Sequence, residues 1–295
     1  MGADLLSTDS LFRGLLAQAS EAVGADLERI CRRGPETELR RSRNVQPLMI
    51  CVSLGYAYRL VEAGVNPDVV AGHSLGEVSA LALAGVLSAE EAVQVAVCRG
   101  EVMEEAASCV AGGMVAVNVQ DREAFLDLVQ GLAGVVVAND NSPEQLVLSG
   151  ERDALEEAVD RVVVARLGTC RKLAVAGPWH TPYLAAARDA FAARIEEIPF
   201  REATVPWISN VTGQAERDPE AIRSLLVRAL AEPVRWRACM ETIGQQPIRA
   251  LLEIGPGRVL SGLARANGFG LETAIHHVNN LRGVEAAVRD LAGSG

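Results

Sequence analysis

The sequence has few aromatic residues and no long uncharged run. Phe, Trp and Tyr together make up 4% of the 295 residues, so a core must be built mainly from Ala, Val and Leu. A run of about 18 uncharged apolar residues is missing, which argues against a membrane-spanning helix. The first residues, MGADLLSTDSLFRG, lack a basic region followed by an apolar one, so no secretory signal is expected.

The sequence also lacks closely spaced cysteine pairs and a net positive charge, and it has only one lysine. The six cysteines are scattered without a C-x-x-C pair, and no histidine stands at metal-ligand spacing. We therefore expect no metal site and reduced, buried thiols in a cytoplasmic protein. Lys172 is the single lysine, and 28 basic residues face 38 acidic ones. The net charge of −10 disfavours nucleic acid as a partner, because phosphate binding needs a basic surface.

The hydrophobic pattern predicts an α/β protein. Strand-like and helix-like segments alternate in residues 1–111 and 177–295, which indicates a core with a mainly parallel sheet. Residues 112–176 read as βαββαβ, the pattern of an inserted ferredoxin-like subdomain. Ser88 and Glu91 have the spacing of a capping box that opens a helix. The remaining core predictions are a helix at 45–63, a strand at 67–71, helices at 182–198 and 219–231, and strands at 205–209 and 250–254.

A serine stands between two glycines in Gly72-His-Ser-Leu-Gly76. A strand is predicted before this stretch and a helix after it. Flanking glycines permit a sharp strand-to-helix turn that exposes the hydroxyl of Ser74. The N–H of Leu75 would lie at the N-terminus of the helix and could stabilise an oxyanion.

A serine nucleophile needs a base, and the sequence has four histidines. His73 adjoins Ser74 in the chain, so its side chain should point away from the position of a base. His276 and His277 have no motif around them. His180 lies in a loop rich in Gly and Pro that returns from the insert to the core, and it is our candidate for the base.

Arg99 lies in an otherwise apolar stretch of a predicted helix. It could pair with Glu101 or cap the helix. Alternatively, its planar cationic fork could bind a substrate carboxylate with two hydrogen bonds. Spacing alone does not decide between these interpretations.

Several stretches together resemble one known family, the malonyl-CoA:acyl-carrier-protein transacylases and the acyltransferase domains of polyketide synthases. They occur in the family's order over nearly the whole chain. They are Gln46-Pro47, GHSLGE at 72–77, CRGEVM at 98–103, NDNSP at 139–143 with LSG at 148–150, GPWHT at 177–181, VPWISNVT at 205–212, PVRW at 233–236 and EIGPGRVL at 253–260.

The resemblance implies an α/β-hydrolase-like core with a ferredoxin-like subdomain. It implies a ping-pong reaction without a cofactor, in which Ser74, activated by His180, takes a malonyl group from malonyl-CoA and passes it to the phosphopantetheine thiol of an acyl carrier protein. The imidazole would be oriented by a backbone carbonyl near Ala229. Arg99 matches the arginine that pairs with the malonyl carboxylate.

The resemblance also implies a set of pocket residues. His73, Gln46, Asn139 and Trp179 fall at positions that line the pocket, and the ring of Trp179 should fill the space that an α-methyl group would need. Malonyl is therefore favoured over methylmalonyl, although one methylene is worth only about 1–3 kcal/mol of selectivity. The sequence leaves open the fatty-acid or polyketide pathway, the carrier and the oligomeric state, and it is compatible with a monomer.

One departure from the family concerns the first residues. Residues 1–6 are similar to the stretch that follows the family's first strand and its FPGQGSQ-like motif, so we expect a truncated start. Losing the oxyanion donor of that motif would cost on the order of 100- to 1000-fold in turnover. Two alternatives therefore stand beside the transferase: an acyl hydrolase of the same family and a weakened scaffold that binds carrier proteins.

Overall fold

The computed structural model describes residues 1–292, which form an α/β fold with many helices and mixed sheets. A 3-10 helix at Pro182–Leu184 precedes α10. The α-helices are α1 (Leu5–Thr8), α2 (Ser10–Val23), α3 (Leu27–Arg33), α4 (Glu36–Leu39), α5 (Ser42–Glu62), α6 (Gly76–Leu83), α7 (Ala89–Cys109), α8 (Arg122–Gln130), α9 (Arg152–Val164), α10 (Ala185–Arg194), α11 (Pro219–Arg228), α12 (Trp236–Gly244), α13 (Val259–Ala266) and α14 (Leu281–Ala292). The strands are β1 (Val70–Ala71), β2 (Gly112–Val119), β3 (Val135–Asp140), β4 (Gln145–Glu151), β5 (Gly168–Lys172), β6 (Trp207–Ile208), β7 (Ala215–Glu216), β8 (Ala250–Ile254) and β9 (Ala274–Val278).

The strands outside residues 112–176 lie in two sheets, whereas the sequence predicts one mainly parallel sheet. One sheet has the order β1-β6-β7, with β1 and β6 parallel, and the other pairs β8 with β9 in parallel. A cavity of about 510 Å³ is lined by residues of both β1 and β8. β1 and β8 thus line the same cavity but belong to separate sheets.

The strands β2 to β5 form a separate antiparallel sheet with the order β3-β4-β2-β5. The helices α8 and α9 pack on this sheet. A hydrophobic cluster of its own, which includes Val117, Phe125, Leu146 and Leu155, fills the space between them. This cluster is distinct from the main core, so residues 112–172 bury their apolar side chains largely among themselves.

The helix α5 forms the centre of the main core and packs against α2 and α7. Leu48, Leu54 and Tyr56 of α5 are fully buried. The predicted capping box begins α7: the Ser88 hydroxyl accepts from the Glu91 N–H at 3.2 Å, and the Glu91 carboxylate accepts from the Ser88 N–H at 2.6 Å. This prediction is confirmed.

Several predicted elements are shorter than expected. The strands predicted at 67–71 and 205–209 have two residues each, β1 and β6. Pro206 precedes β6 and has no N–H for a ladder hydrogen bond. The helix predicted at 182–198 begins as 3-10 helix and ends at Arg194. The strand β9 was not predicted, because two adjacent histidines break the apolar pattern of a buried strand.

None of the six cysteines, all of which lie in described residues, is in a disulfide. Cys31, Cys51 and Cys239 are buried, but Cys109 is exposed, so the prediction of buried thiols is wrong for Cys109. Within residues 1–292, no helix has the length and apolar character needed to cross a bilayer. The same residues contain no group of three or more metal-ligating side chains.

Candidate active site

Ser74 stands on a tight corner between β1 and α6. Its backbone has a φ of 52°, a left-handed conformation that costs a residue with a side chain roughly 1–3 kcal/mol. A Cβ atom at Gly72 would lie 1.9 Å from the backbone carbonyl carbon of Gly76, so only glycine fits at Gly72. A Cβ at Gly76 would meet open space. The close approach of strand and helix therefore requires Gly72 and not Gly76.

The structure brings Ser74 and His180 together. The Oγ of Ser74 lies 2.8 Å from Nε2 of His180. The other ring nitrogen, Nδ1, lies 2.8 Å from the carbonyl oxygen of Ala229, just after α11. A proton on Nδ1 donates to this carbonyl, which leaves Nε2 as the acceptor for the serine proton. The pair therefore has the geometry of a nucleophile with an oriented general base.

Arg99 reaches the same hydroxyl from α7. Its guanidinium donates to Ser74 Oγ at 3.0 Å and to Gln46 Oε1 at 2.8 Å, and the residue is 3% exposed. Glu101 pairs instead with Arg194 at 3.0 Å, which removes the interpretation that Arg99 pairs with Glu101. A buried cation thus lies directly beside the serine.

The amide of Gln46 orients this arginine. While its oxygen accepts from Arg99, its nitrogen donates to Sδ of Met103 at 3.2 Å. The two contacts fix which end of the amide faces the guanidinium. Gln46 therefore contacts the cation and not the serine.

His73 belongs to a second group of polar side chains next to the corner. Its Nε2 lies 2.8 Å from Oδ1 of Asn141 and 3.4 Å from Nδ2 of Asn139. Its ring lies 5.4 Å from that of Trp236. The His73 side chain thus points to the two asparagines, and its imidazole is not the base for Ser74.

Two predicted residues lie outside this hydrogen-bonded group. The indole of Trp179 is buried in the main core and packs against Gly177. The N–H of Leu75 lies at the start of α6, and within residues 1–292 it has no hydrogen-bond acceptor. An unpaired N–H at a helix N-terminus is available to a developing negative charge.

Asn210 and Glu77 are site residues that sequence reasoning missed. Asn210 Oδ1 accepts from the Ser74 N–H at 2.7 Å, and the Asn210 N–H donates to Glu77 Oε1 at 2.8 Å. Both residues lie in stretches that carry the resemblance, WISNVT and GHSLGE, but nothing in their local pattern predicts a contact over more than 130 positions.

Burial sets the charge states of the site. Burial and the nearby charge of Arg99 lower the pKa of His180 to about 3, so its imidazole is neutral and able to accept a proton. Burial lowers the pKa of Arg99 to about 10, which leaves it a cation at neutral pH. Burial raises the pKa of Glu77 to about 8 and lowers that of His73. The site therefore combines a neutral base with a net positive charge.

This arrangement fits one class of chemistry. A serine with an oriented base and an N–H donor suits attack on a carbonyl and formation of an ester. The buried arginine suits a substrate with a carboxylate close to the reacting carbon. The site is thus built for acyl transfer with an acidic acyl group.

Comparison with known proteins points to the same chemistry. Residues 1–267 match the model of the family described as acyl transferase domain. The chain is 35% identical over 269 residues to a malonyl CoA-acyl carrier protein transacylase of Salmonella typhimurium, covering 90% of this chain and 87% of that one. The relative of the same name from Haemophilus influenzae is 36% identical over 271 residues, with 90% and 86% covered.

A solved structure agrees over nearly the whole fold. It is a malonyl-transacylase in complex with a type II PKS acyl-carrier protein. The chain is similar to it with a TM-score of 0.91 and 35% identity, over 98% of this chain and 94% of that one.

Proposed function

The chain belongs to the acyl transferase family, and from that premise we propose that it is a malonyltransferase. It moves a malonyl group from malonyl-CoA to the phosphopantetheine thiol of an acyl carrier protein, in fatty-acid or polyketide synthesis. The observation that carries the proposal is that one hydroxyl, Ser74 Oγ, lies 2.8 Å from His180 Nε2 and 3.0 Å from the Arg99 guanidinium.

The first half of the reaction forms the ester. Ser74 Oγ attacks the thioester carbon of malonyl-CoA, and its proton passes to His180 Nε2. The carbonyl oxygen becomes an oxyanion that accepts from the Leu75 N–H. As the C–S bond breaks, His180 returns the proton to the sulfur, and CoA leaves as a thiol. The carbonyl of Ala229 stabilises the transient imidazolium through Nδ1–H.

The second half reverses these roles. The thiol of the carrier gives its proton to His180, and its sulfur attacks the ester carbon. The C–O bond breaks, and Ser74 regains a proton from His180. A thioester is consumed and a thioester is formed, so the reaction balances without an oxidant, a reductant or a metal, and we propose that no cofactor takes part.

Arg99 binds the free carboxylate of the malonyl group. In the structure the guanidinium donates to Ser74 and Gln46, and the carboxylate would take the donor directed at Ser74 while Gln46 keeps its bond. His73 and Asn139 form the neighbouring wall of the pocket. The ring of Trp179, which adjoins His180 in the chain, would limit the space for an α-methyl group and so favour malonyl over methylmalonyl by about 1–3 kcal/mol.

We also propose a division into two domains. Residues 1–111 and 177–295 would be an α/β-hydrolase-like core, and residues 112–176 a ferredoxin-like subdomain. The order β3-β4-β2-β5 with all pairs antiparallel and the separate hydrophobic cluster support this division. The unbridged thiols, one of them exposed, support a cytoplasmic location.

The proposal is tested by following the malonyl group. The protein is incubated with malonyl-CoA, and its intact mass is measured before and after addition of an acyl carrier protein that bears phosphopantetheine. We expect one malonyl group on the protein and then its appearance on the carrier. Release of free malonate as fast as malonyl-carrier forms would instead identify a hydrolase. No adduct, under conditions that load a relative, would identify a scaffold.

The pH dependence of the reaction should separate free and loaded enzyme. Because the charge of Arg99 helps to lower the pKa of His180, a bound carboxylate that offsets this charge should raise that pKa. His180 acts as a base only when neutral, so kcat and kcat/KM both decrease as the pH falls. Because kcat reports the pKa of His180 with substrate bound and kcat/KM that of the free enzyme, the decrease in kcat for malonyl-CoA should begin at a higher pH than the decrease in kcat/KM. Acetyl-CoA has no carboxylate and serves as the control.

We expect kcat/KM to show no limb from His180 between about pH 5 and pH 8. Steady-state profiles with both thioesters measure this. An inflection of kcat/KM near about 6.5, the ordinary pKa of histidine, would contradict the prediction, as would identical profiles of kcat and kcat/KM for malonyl-CoA.

A further inference from the structure

The corner that carries Ser74 needs support from outside its own segment. A residue with a side chain holds a left-handed φ only where surrounding contacts impose it. The hydrogen bonds of the corner itself run between backbone atoms, from the Gly76 N–H to His73 O and from the Glu77 N–H to Ser74 O. They begin α6 but do not fix the N–H of Ser74.

The side chain of Asn210 supplies this support from the segment that follows β6. Its Oδ1 accepts from the Ser74 N–H at 2.7 Å, and its Nδ2 donates to the Gly72 carbonyl at 2.8 Å. The two hydrogen bonds hold the backbone on both sides of His73, at Gly72 and at Ser74. Asn210 is 1% exposed, so water does not compete for them.

Asn210 is itself held at both backbone groups. Its N–H donates to Glu77 Oε1 in the first turn of α6 at 2.8 Å, and its carbonyl accepts from the Arg235 N–H at 2.8 Å. The amide therefore cannot shift without moving α6 or the start of α12. The side chain of Asn210 therefore ties both ends of the corner to α6 and to the start of α12.

We propose that Asn210 is a positioning residue, which holds the Ser74 hydroxyl at its distance from His180 and Arg99. The inference rests on the proposed role of Ser74 as the nucleophile. Asn210 forms no hydrogen bond with the Ser74 hydroxyl or with the Arg99–Gln46 pair. Its loss should therefore slow acylation and leave the binding of malonyl-CoA nearly unchanged.

The decisive variant is Asn210→Ala. We expect the rate of malonyl loading to fall about 100-fold, since a displacement near 1 Å has an effect of this size. We expect an equal fall in the rate of labelling by a fluorophosphonate, which reports on the Ser74 hydroxyl without a malonyl group. The Kd for malonyl-CoA, measured by calorimetry in a Ser74→Ala background, should change less than about threefold when Asn210→Ala is added.

A second variant and a control exclude a merely structural effect. Asn210→Asp keeps an acceptor for the Ser74 N–H but loses the donor to Gly72, and should load about 10-fold more slowly than wild type. Thr242→Val removes a buried hydrogen bond from α12 to the carbonyl of Gly213, three residues after Asn210, at 2.6 Å, and should keep the wild-type rate per folded molecule. Urea unfolding gives the folded fraction of each protein.

Two results would overturn the role of Asn210. One is a folded Asn210 variant that reacts with both reagents within twofold of wild type, and the other is an equal loss of rate in Thr242→Val. If wild type reacts with the fluorophosphonate but takes no malonyl group, the proposed function fails, and the fluorophosphonate rates still decide the role of Asn210.

Discussion

Replacement of Ser74 by alanine should abolish the malonyl adduct and lower transfer to the carrier on the order of 10⁴-fold or more. The reason is that the ester forms on Oγ itself, and among residues 1–292 the His180 ring forms a hydrogen bond with no other hydroxyl. Binding of malonyl-CoA should survive, because Arg99 and Gln46 keep their places. Intact-mass spectrometry and calorimetry measure the two quantities separately.

The matched control is Ser79→Ala on the same helix, α6. The Ser79 hydroxyl donates to the Gly76 carbonyl at 3.1 Å and does not contact His180, so this variant should load like wild type. A full malonyl adduct on Ser74→Ala would refute the assignment of the nucleophile. Peptide mapping of that adduct would identify the residue that carries it.

Replacement of Arg99 by alanine should change which acyl group the enzyme prefers. Loss of one partner from a buried charged pair costs about 2–5 kcal/mol, so kcat/KM for malonyl-CoA should fall roughly 30- to 5,000-fold. Acetyl-CoA has no carboxylate to pair with Arg99, so its kcat/KM does not include this loss. The ratio of kcat/KM for malonyl-CoA to that for acetyl-CoA is therefore the quantity to measure, and it also cancels any general effect on Ser74 or His180.

Two further variants define the role of the planar Arg99 guanidinium. Arg99→Lys keeps the charge but cannot hold Gln46 and a carboxylate with one planar group, so its ratio should lie between wild type and Arg99→Ala. Arg194→Ala removes an arginine that pairs with Glu101 and Glu105 of the same helix, and it should leave the ratio unchanged. A ratio in Arg99→Ala equal to that of wild type would show that the carboxylate binds elsewhere.

The corner at Ser74 was predictable because its signals are local. Gly72 is required by contacts within five residues of itself, and the strand before it and the helix after it follow from hydrophobic pattern. The capping box of Ser88 and Glu91 was predictable for the same reason. The lengths of β1 and β6 were not, since the number of paired residues depends on neighbouring strands that lie far away in the chain.

The contacts of the site depend on longer distances. Ser74 and His180 are 106 positions apart, and the sequence offered His180 only as the better candidate among four histidines. For Arg99 the local spacing left three interpretations open, a pair with Glu101, a helix cap and a carboxylate site, and only the family resemblance favoured the last. The pairing of Glu101 with Arg194, 93 positions away, removes the first. Asn210 lies in a stretch that carries the resemblance, but its local pattern gave no sign of its contacts, because an asparagine in a loop looks the same whether or not its amide is buried.

By itself, the amino-acid sequence determined which chemical groups this protein has and the local turn that exposes one of them, because turns, caps and motifs depend on neighbouring residues. Tertiary structure alone decided that a neutral imidazole, a backbone carbonyl, a buried guanidinium and an amide meet at that turn. Their distances and charge states follow from packing and exclusion of water, which are properties of the folded chain.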